Sequence, residues 1–112
     1  MTLSKSLEMN LIKDKNLLEL LERLELDARH WIIVDHWDAL LGAVGIAHKS
    51  EPRRLVYISL EDEDPNHYYY ECEVPIGPEL TDYSSIDSGE HVSYERLMSI
   101  LEHHLVVKPG AV

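Results

Sequence analysis

The sequence contains no phenylalanine and a single cysteine. A core must therefore be filled by Leu, Ile, Val, the two tryptophans and whatever tyrosine rings are buried. One thiol, Cys72, permits no internal disulfide and no cysteine-built zinc site, which fits a reducing compartment. No stretch approaches the roughly 20 apolar residues that a membrane-spanning helix needs. The opening MTLSKSLEMNLIKDK is broken by charge before an apolar run develops, so no secretory leader is predicted. The last absence is the most informative: between Leu55 and Glu95 there is neither Lys nor Arg.

Eleven of the 21 acidic residues lie in that stretch, and the ten elsewhere are balanced by the ten Lys and Arg. The whole formal charge of −11 is thus local. All six tyrosines share the segment: Tyr57, Tyr68, Tyr69, Tyr70, Tyr83 and Tyr94. Charge gathered on one side makes a field that attracts a cationic partner and steers its approach. The plainer reading is a solvated acidic face that serves solubility. Either way the field repels nucleic acid and anionic lipid. The expectation is a cytoplasmic protein with no nucleic-acid or membrane partner. At 112 residues and 45% hydrophobic content, it should fold as one domain spanning residues 1–112 rather than remain disordered.

Periodicity divides the chain. Leu17, Leu21 and Leu24 recur at helical spacing, and Asn16 followed by Glu19 resembles a capping box, which predicts a helix from Leu17 to Asp27. The preceding Leu7, Met9, Leu11 and Ile12 fit strand or helix equally. Trp31 to Val34 and Gly42 to His48 read as a hairpin, its small residues Ala43, Gly45 and Ala47 leaving room for a close helix or a bulge. Lys49 to Arg53 reads as a turn, and Arg54 to Leu60 as a central strand. Along His67 to Val74 the residues alternate: Tyr68, Tyr70, Cys72 and Val74 on a buried face, His67, Tyr69, Glu71 and Glu73 on a wet one. Glu79 to Gly89 has the composition of a loop. Ser93 caps a final helix bearing Leu97, Leu101 and Leu105, and Pro109-Gly110 closes the chain. The predicted fold is α+β, a four-stranded antiparallel meander flanked by an N-terminal and a C-terminal helix. The face opposite the helices, or the edge at the fourth strand, should carry the acids.

Catalytic and metal chemistry find little support. The seven histidines show no ligand spacing, and His103-His104 point about 100° apart on a helix, so they read as surface residues near a favourable helix C-terminus. Asp35-His36-Trp37-Asp38 could be drawn as a base with its orienting carboxylate, but no nucleophile accompanies it. Trp37 reads as a core lid in preference to an exposed anchor. Cys72, among apolar neighbours and carboxylates, should be buried and inert. Neither Gly42-Ala43-Val44-Gly45 nor Ile76-Gly77-Pro78 is a phosphate loop. No cofactor, metal or catalytic residue is predicted.

The stretch HWIIVDHWDALLGAVGIAH, then LVYISL and YYYECEVP, together with small size, one cysteine and one-sided acidity, resembles the cytoplasmic immunity proteins of bacterial polymorphic toxin systems, including contact-dependent growth inhibition. That resemblance implies a noncatalytic inhibitor that binds a basic, nuclease-type toxin domain, and is a monomer or weak dimer when free. Tyrosine gives contact area at low entropic cost, and acids complement a basic target. The expected contact set is Glu61, Asp62, Glu63, Asp64, Tyr69, Glu71 and Glu73, with Glu79, Asp82 and Asp87 as further members. Two other readings compete: a small acidic secretion chaperone for an effector protein, which would need an exposed apolar groove, and a small enzyme using Asp35, His36 and Asp38.

Overall fold

Side-chain alternation along the strands organises the molecule. A computed structural model describes residues 13–106, apart from 38 and 80. The ambiguous pattern at Leu7 to Ile12, the carboxylate of Asp38 and the closing Pro109-Gly110 fall outside the described residues. Helix α1 (Lys15–Arg23) and a 3₁₀ turn (Asp27–Arg29) lead into five strands and helix α2 (Tyr94–His104). The strands are β1 (Trp31–Val34), β2 (Ala43–His48), β3 (Glu51–Ser59), β4 (His67–Pro75) and β5 (Tyr83–Ser93). They form one antiparallel sheet in sequence order, a simple meander.

The class is α+β, but the sheet has five strands, not four. The segment read as a loop from Glu79 onward becomes β5 at Tyr83. Its polar, Ser-rich composition hides a strand because β5 is an edge with mostly exposed side chains. Two register shifts interrupt its pairing with β4, between Tyr68 and Tyr70 and between Cys72 and Glu73. At the first shift His91 takes a left-handed backbone, φ 57°. Such bulges twist an edge and discourage pairing with another chain.

Three boundaries also move. Helix α1 begins at Lys15 behind Asp14, so Asn16 lies inside the helix and caps nothing. It ends at Arg23, short of Asp27. The turn read at Lys49 to Arg53 shrinks to two residues, and β3 starts at Glu51. The Ser93 cap is as read: its hydroxyl accepts the Arg96 amide at 3.1 Å.

One face of the sheet packs on the helices. Val44, Ile46, Val56, Ile58, Tyr68, Tyr70 and Cys72 meet Leu17, Leu20, Leu21, Leu97, Ile100 and Leu101 in one buried cluster. Each fully buried leucine contributes about 2 kcal/mol relative to exposure. Without Phe, Trp31, Tyr68 and Tyr70 supply the large rings. Tyr70 crosses β5 where Gly89 leaves room, since a Cβ there would lie 2.7 Å from its ring, and its hydroxyl donates to Asp87 at 3.0 Å. Cys72 is buried in this layer, and burial pushes its thiol up to about 11. Val74 is only half-buried at the strand end. His104, expected at the surface, is buried instead, and its Nε2 lies 3.2 Å from the Glu73 carbonyl. Burial lowers its pKa, because the charged imidazolium would be desolvated.

The small residues of β2 face the other way. Gly45 pairs with Val34 and Tyr57 on the helix-free face, and the Trp37 ring lies directly over it. A Cβ at Gly45 would stand 2.8 Å from that ring and 2.7 Å from the Val34 carbonyl. Gly45→Ala should therefore lower stability by about 2 kcal/mol and shift Trp37 fluorescence, as measured by denaturant unfolding and emission spectra; an unchanged midpoint would refute the close packing.

Candidate functional site

The helix-free face is built from alternate residues of each strand. Register places Ser59 beside Tyr69, Tyr57 beside Glu71 and Leu55 beside Glu73. Trp37 is not a core residue as expected. It lies half-buried on this face, its ring centroid 4.8 Å from that of Tyr57. Tyr57 lies 6.2 Å from Tyr69, and His36 lies 5.7 Å from Trp37 and 6.3 Å from Tyr83. Five rings thus form a continuous row across the sheet, bordered by the carboxylates of Glu71 and Glu73.

A buried ion pair holds Trp37 there. The Lys13 side chain is fully enclosed, and its ammonium donates to Asp35 Oδ1 at 3.1 Å, the Trp37 carbonyl at 2.9 Å and the Leu40 carbonyl at 2.8 Å. Three donors meet three acceptors, the condition under which a buried ammonium is tolerated. Asp35 also accepts the Trp37 amide at 3.2 Å. Asp35 therefore fixes loop geometry, engaged by Lys13 rather than oriented on the His36 imidazole.

The central depression on this face has a volume of about 680 Å³. Trp37, Tyr57 and Tyr69 form its aromatic part; Glu61, Asp62, Glu63, Glu71, Glu73 and Glu90 supply its acids. The Tyr69 hydroxyl donates to Glu71 Oε2 at 2.7 Å. That bond to a carboxylate pushes the phenol up to about 12, because ionising it would set two anions together. Glu73 is raised from its ordinary range by burial and then by the Glu71 charge. Burial also raises Tyr57.

The ten expected contact residues divide. Glu61, Asp62, Tyr69, Glu71 and Glu73 line the central depression. Glu63 reaches it too, but its side chain is only 4% exposed and its Oε1 lies 3.0 Å from His91 Nδ1, so it braces the β5 bulge. Asp64 lines a separate groove against α1. Asp87 belongs to the helix side with Tyr70. Asp82 accepts the Glu79 amide at 3.1 Å and shapes the β4–β5 turn, at the opposite end of β4 from the acidic loop. Glu79, exposed, sits in that same turn. The sequence reading missed Trp37, Tyr57 and Glu90 as members. For Tyr57 the signal was present, since it alternates with the buried Val56 and Ile58.

Among the described residues, none of the eleven segment carboxylates pairs with Lys or Arg; the two such ion pairs use Asp35 and Glu102. No group of three His, Cys, Asp or Glu among the described residues is placed to hold a metal ion. No described helix is long and apolar enough to cross a membrane. No protein-family model matches the chain, and no curated protein or solved structure matches it either.

Two outcomes are expected. Lys13→Met leaves Asp35 and two carbonyls without their donor and should cost about 3 kcal/mol, with increased Trp37 quenching by iodide; a neutral effect on both would sink the role of the ion pair. Glu73 is the opposite case. A carboxylate raised in the folded state above its unfolded value destabilises the fold once pH exceeds both values, and that penalty fades as pH falls through the folded value. Glu73→Gln should therefore raise the melting temperature at pH 7 and lose the advantage under acid conditions, where wild-type Glu73 is itself neutral. A lower melting temperature at pH 7 would contradict this.

Proposed function

We propose that this chain is a noncatalytic immunity protein that binds and neutralises a basic, nuclease-type toxin domain through its helix-free face. One observation carries the reading: a row of rings bordered by carboxylates that have no Lys or Arg partner among the described residues. Internal compensation would have removed the field; its absence leaves the face ready for an external cation. A nuclease must present cations to hold phosphates, and an acidic surface competes for or docks beside them. Charge speeds capture, while desolvated rings slow release. The contact set on this reading is Glu61, Asp62, Tyr69, Glu71 and Glu73, joined by Trp37, Tyr57 and Glu90. Of the large exposed apolar residues, Leu40 and Leu41 adjoin in the β1–β2 connection, while Ile76, Ile86 and Val106 lie on other segments, a spread that does not favour one apolar chaperone groove.

The test screens basic nuclease-type toxin domains, beginning with any that is encoded beside this chain. Purified protein should abolish cleavage at one-to-one stoichiometry. Lysine at Glu61, Glu71 and Glu73 together should slow association about tenfold at low salt and flatten its salt dependence. Inhibition at far below stoichiometry, or an unchanged association rate in the triple variant, would overturn the reading.

A further inference from the structure

The central depression is not the only concavity that Trp37 and Glu71 border. On the side toward β5 lies a second one of about 420 Å³, walled by His36, Trp37, Tyr83, Glu71, Glu73 and Ser85. Three rings adjoin there, His36 standing between Trp37 and Tyr83 at 5.7 and 6.3 Å. Two carboxylates face the same cup. One oxygen of Glu71 is taken by Tyr69, while the carboxylate of Glu73 has no hydrogen-bond or ionic partner among the described residues. Two internal cations lie nearby and neither lines the cup: Lys13 is enclosed by Asp35 and two carbonyls, and Arg53 is tied to the Glu79 carbonyl at 2.6 Å. The Arg53 guanidinium lies 5.8 Å from the Tyr83 centroid, so this ring already takes an arginine at one face.

We propose that this cup receives one arginine side chain of the basic protein partner, its guanidinium stacked on Trp37 and Tyr83 and paired with Glu73. Rings alone would accept any apolar group, and carboxylates alone any cation. Together they select a flat cation that stacks and forks, and arginine is more weakly hydrated than lysine. Burial first and the Glu71 charge second raise Glu73, and the second of these is relieved when a cation enters. The inference deepens the docking reading of this face and rests on it.

The probe is N-acetyl-arginine amide, titrated into the ¹⁵N-labelled protein, with the citrulline analogue as the neutral match in shape. Saturable shifts are expected at the Trp37 indole and the Glu73 and Tyr83 amides, with citrulline about tenfold weaker. Tyr83→Leu should weaken the arginine probe about threefold. Glu73→Gln should weaken it about fivefold while raising thermal stability. A purely structural Glu73 would not move these two readouts in opposite directions. No saturable shift, an equal response to citrulline, or undiminished binding by Glu73→Gln would overturn the cup. Toxin-domain dissociation unchanged by Glu73→Gln would likewise overturn it, and would leave the docking face standing. A wild-type protein that binds the arginine probe but never inhibits the toxin domain would instead overturn the docking reading.

Discussion

The Lys13 ammonium is the constraint on which the helix-free face depends. It is a buried charge with its three donors satisfied by Asp35 and two loop carbonyls. An enclosed ion pair of this kind adds little net stability, because desolvation offsets most of the Coulombic gain. What it provides is a fixed relative placement of Asp35, Trp37 and Leu40. That placement lays Trp37 over Gly45 and Tyr57 and so joins His36 to the Tyr57–Tyr69 pair that strand register sets. The β1–β2 connection is thereby part of the sheet's surface rather than a free loop.

The distribution of charge explains why the molecule tolerates so many uncompensated acids. The acidic loop after β3 is exposed at Glu61, Asp62 and Asp64, where water screens repulsion. Glu71 and Glu73 are less favourable, being half-buried and adjacent on one face of β4. The positive residues that could have neutralised them serve elsewhere. Arg23 lies 3.6 Å over the Tyr94 ring, Arg29 pairs with Glu102, and Arg54 donates to the His104 carbonyl. Basic residues stitch the helices and sheet ends, and the open face is left negative.

Legibility in the sequence followed how local each cause is. The β4 alternation was readable because a half-buried strand must repeat every two residues, and Tyr68, Tyr70 and Cys72 are buried where that rule puts them. The Ser93 cap was readable because its hydrogen bond spans three residues. Strand β5 was not readable, because an exposed edge with two bulges carries no apolar period. Nor was the place of Trp37, which is set by Lys13, 24 residues away. Asp82 and Asp87 looked like surface acids, yet one shapes a turn and the other receives the Tyr70 hydroxyl, bonds whose partners only the fold identifies. The charge asymmetry was visible from composition; which carboxylates share a surface depended on register.

Strand β4 carries two interleaved texts. Read at even numbers, Tyr68, Tyr70 and Cys72 are bound into the interior, where a change of one methylene is felt. Read at odd numbers, Tyr69, Glu71 and Glu73 touch only the outside face and one another. Substitutions in the second text leave the packing of the first intact, so the outward letters are free to drift. A scaffold of this kind can change its specificity rapidly without relearning how to fold.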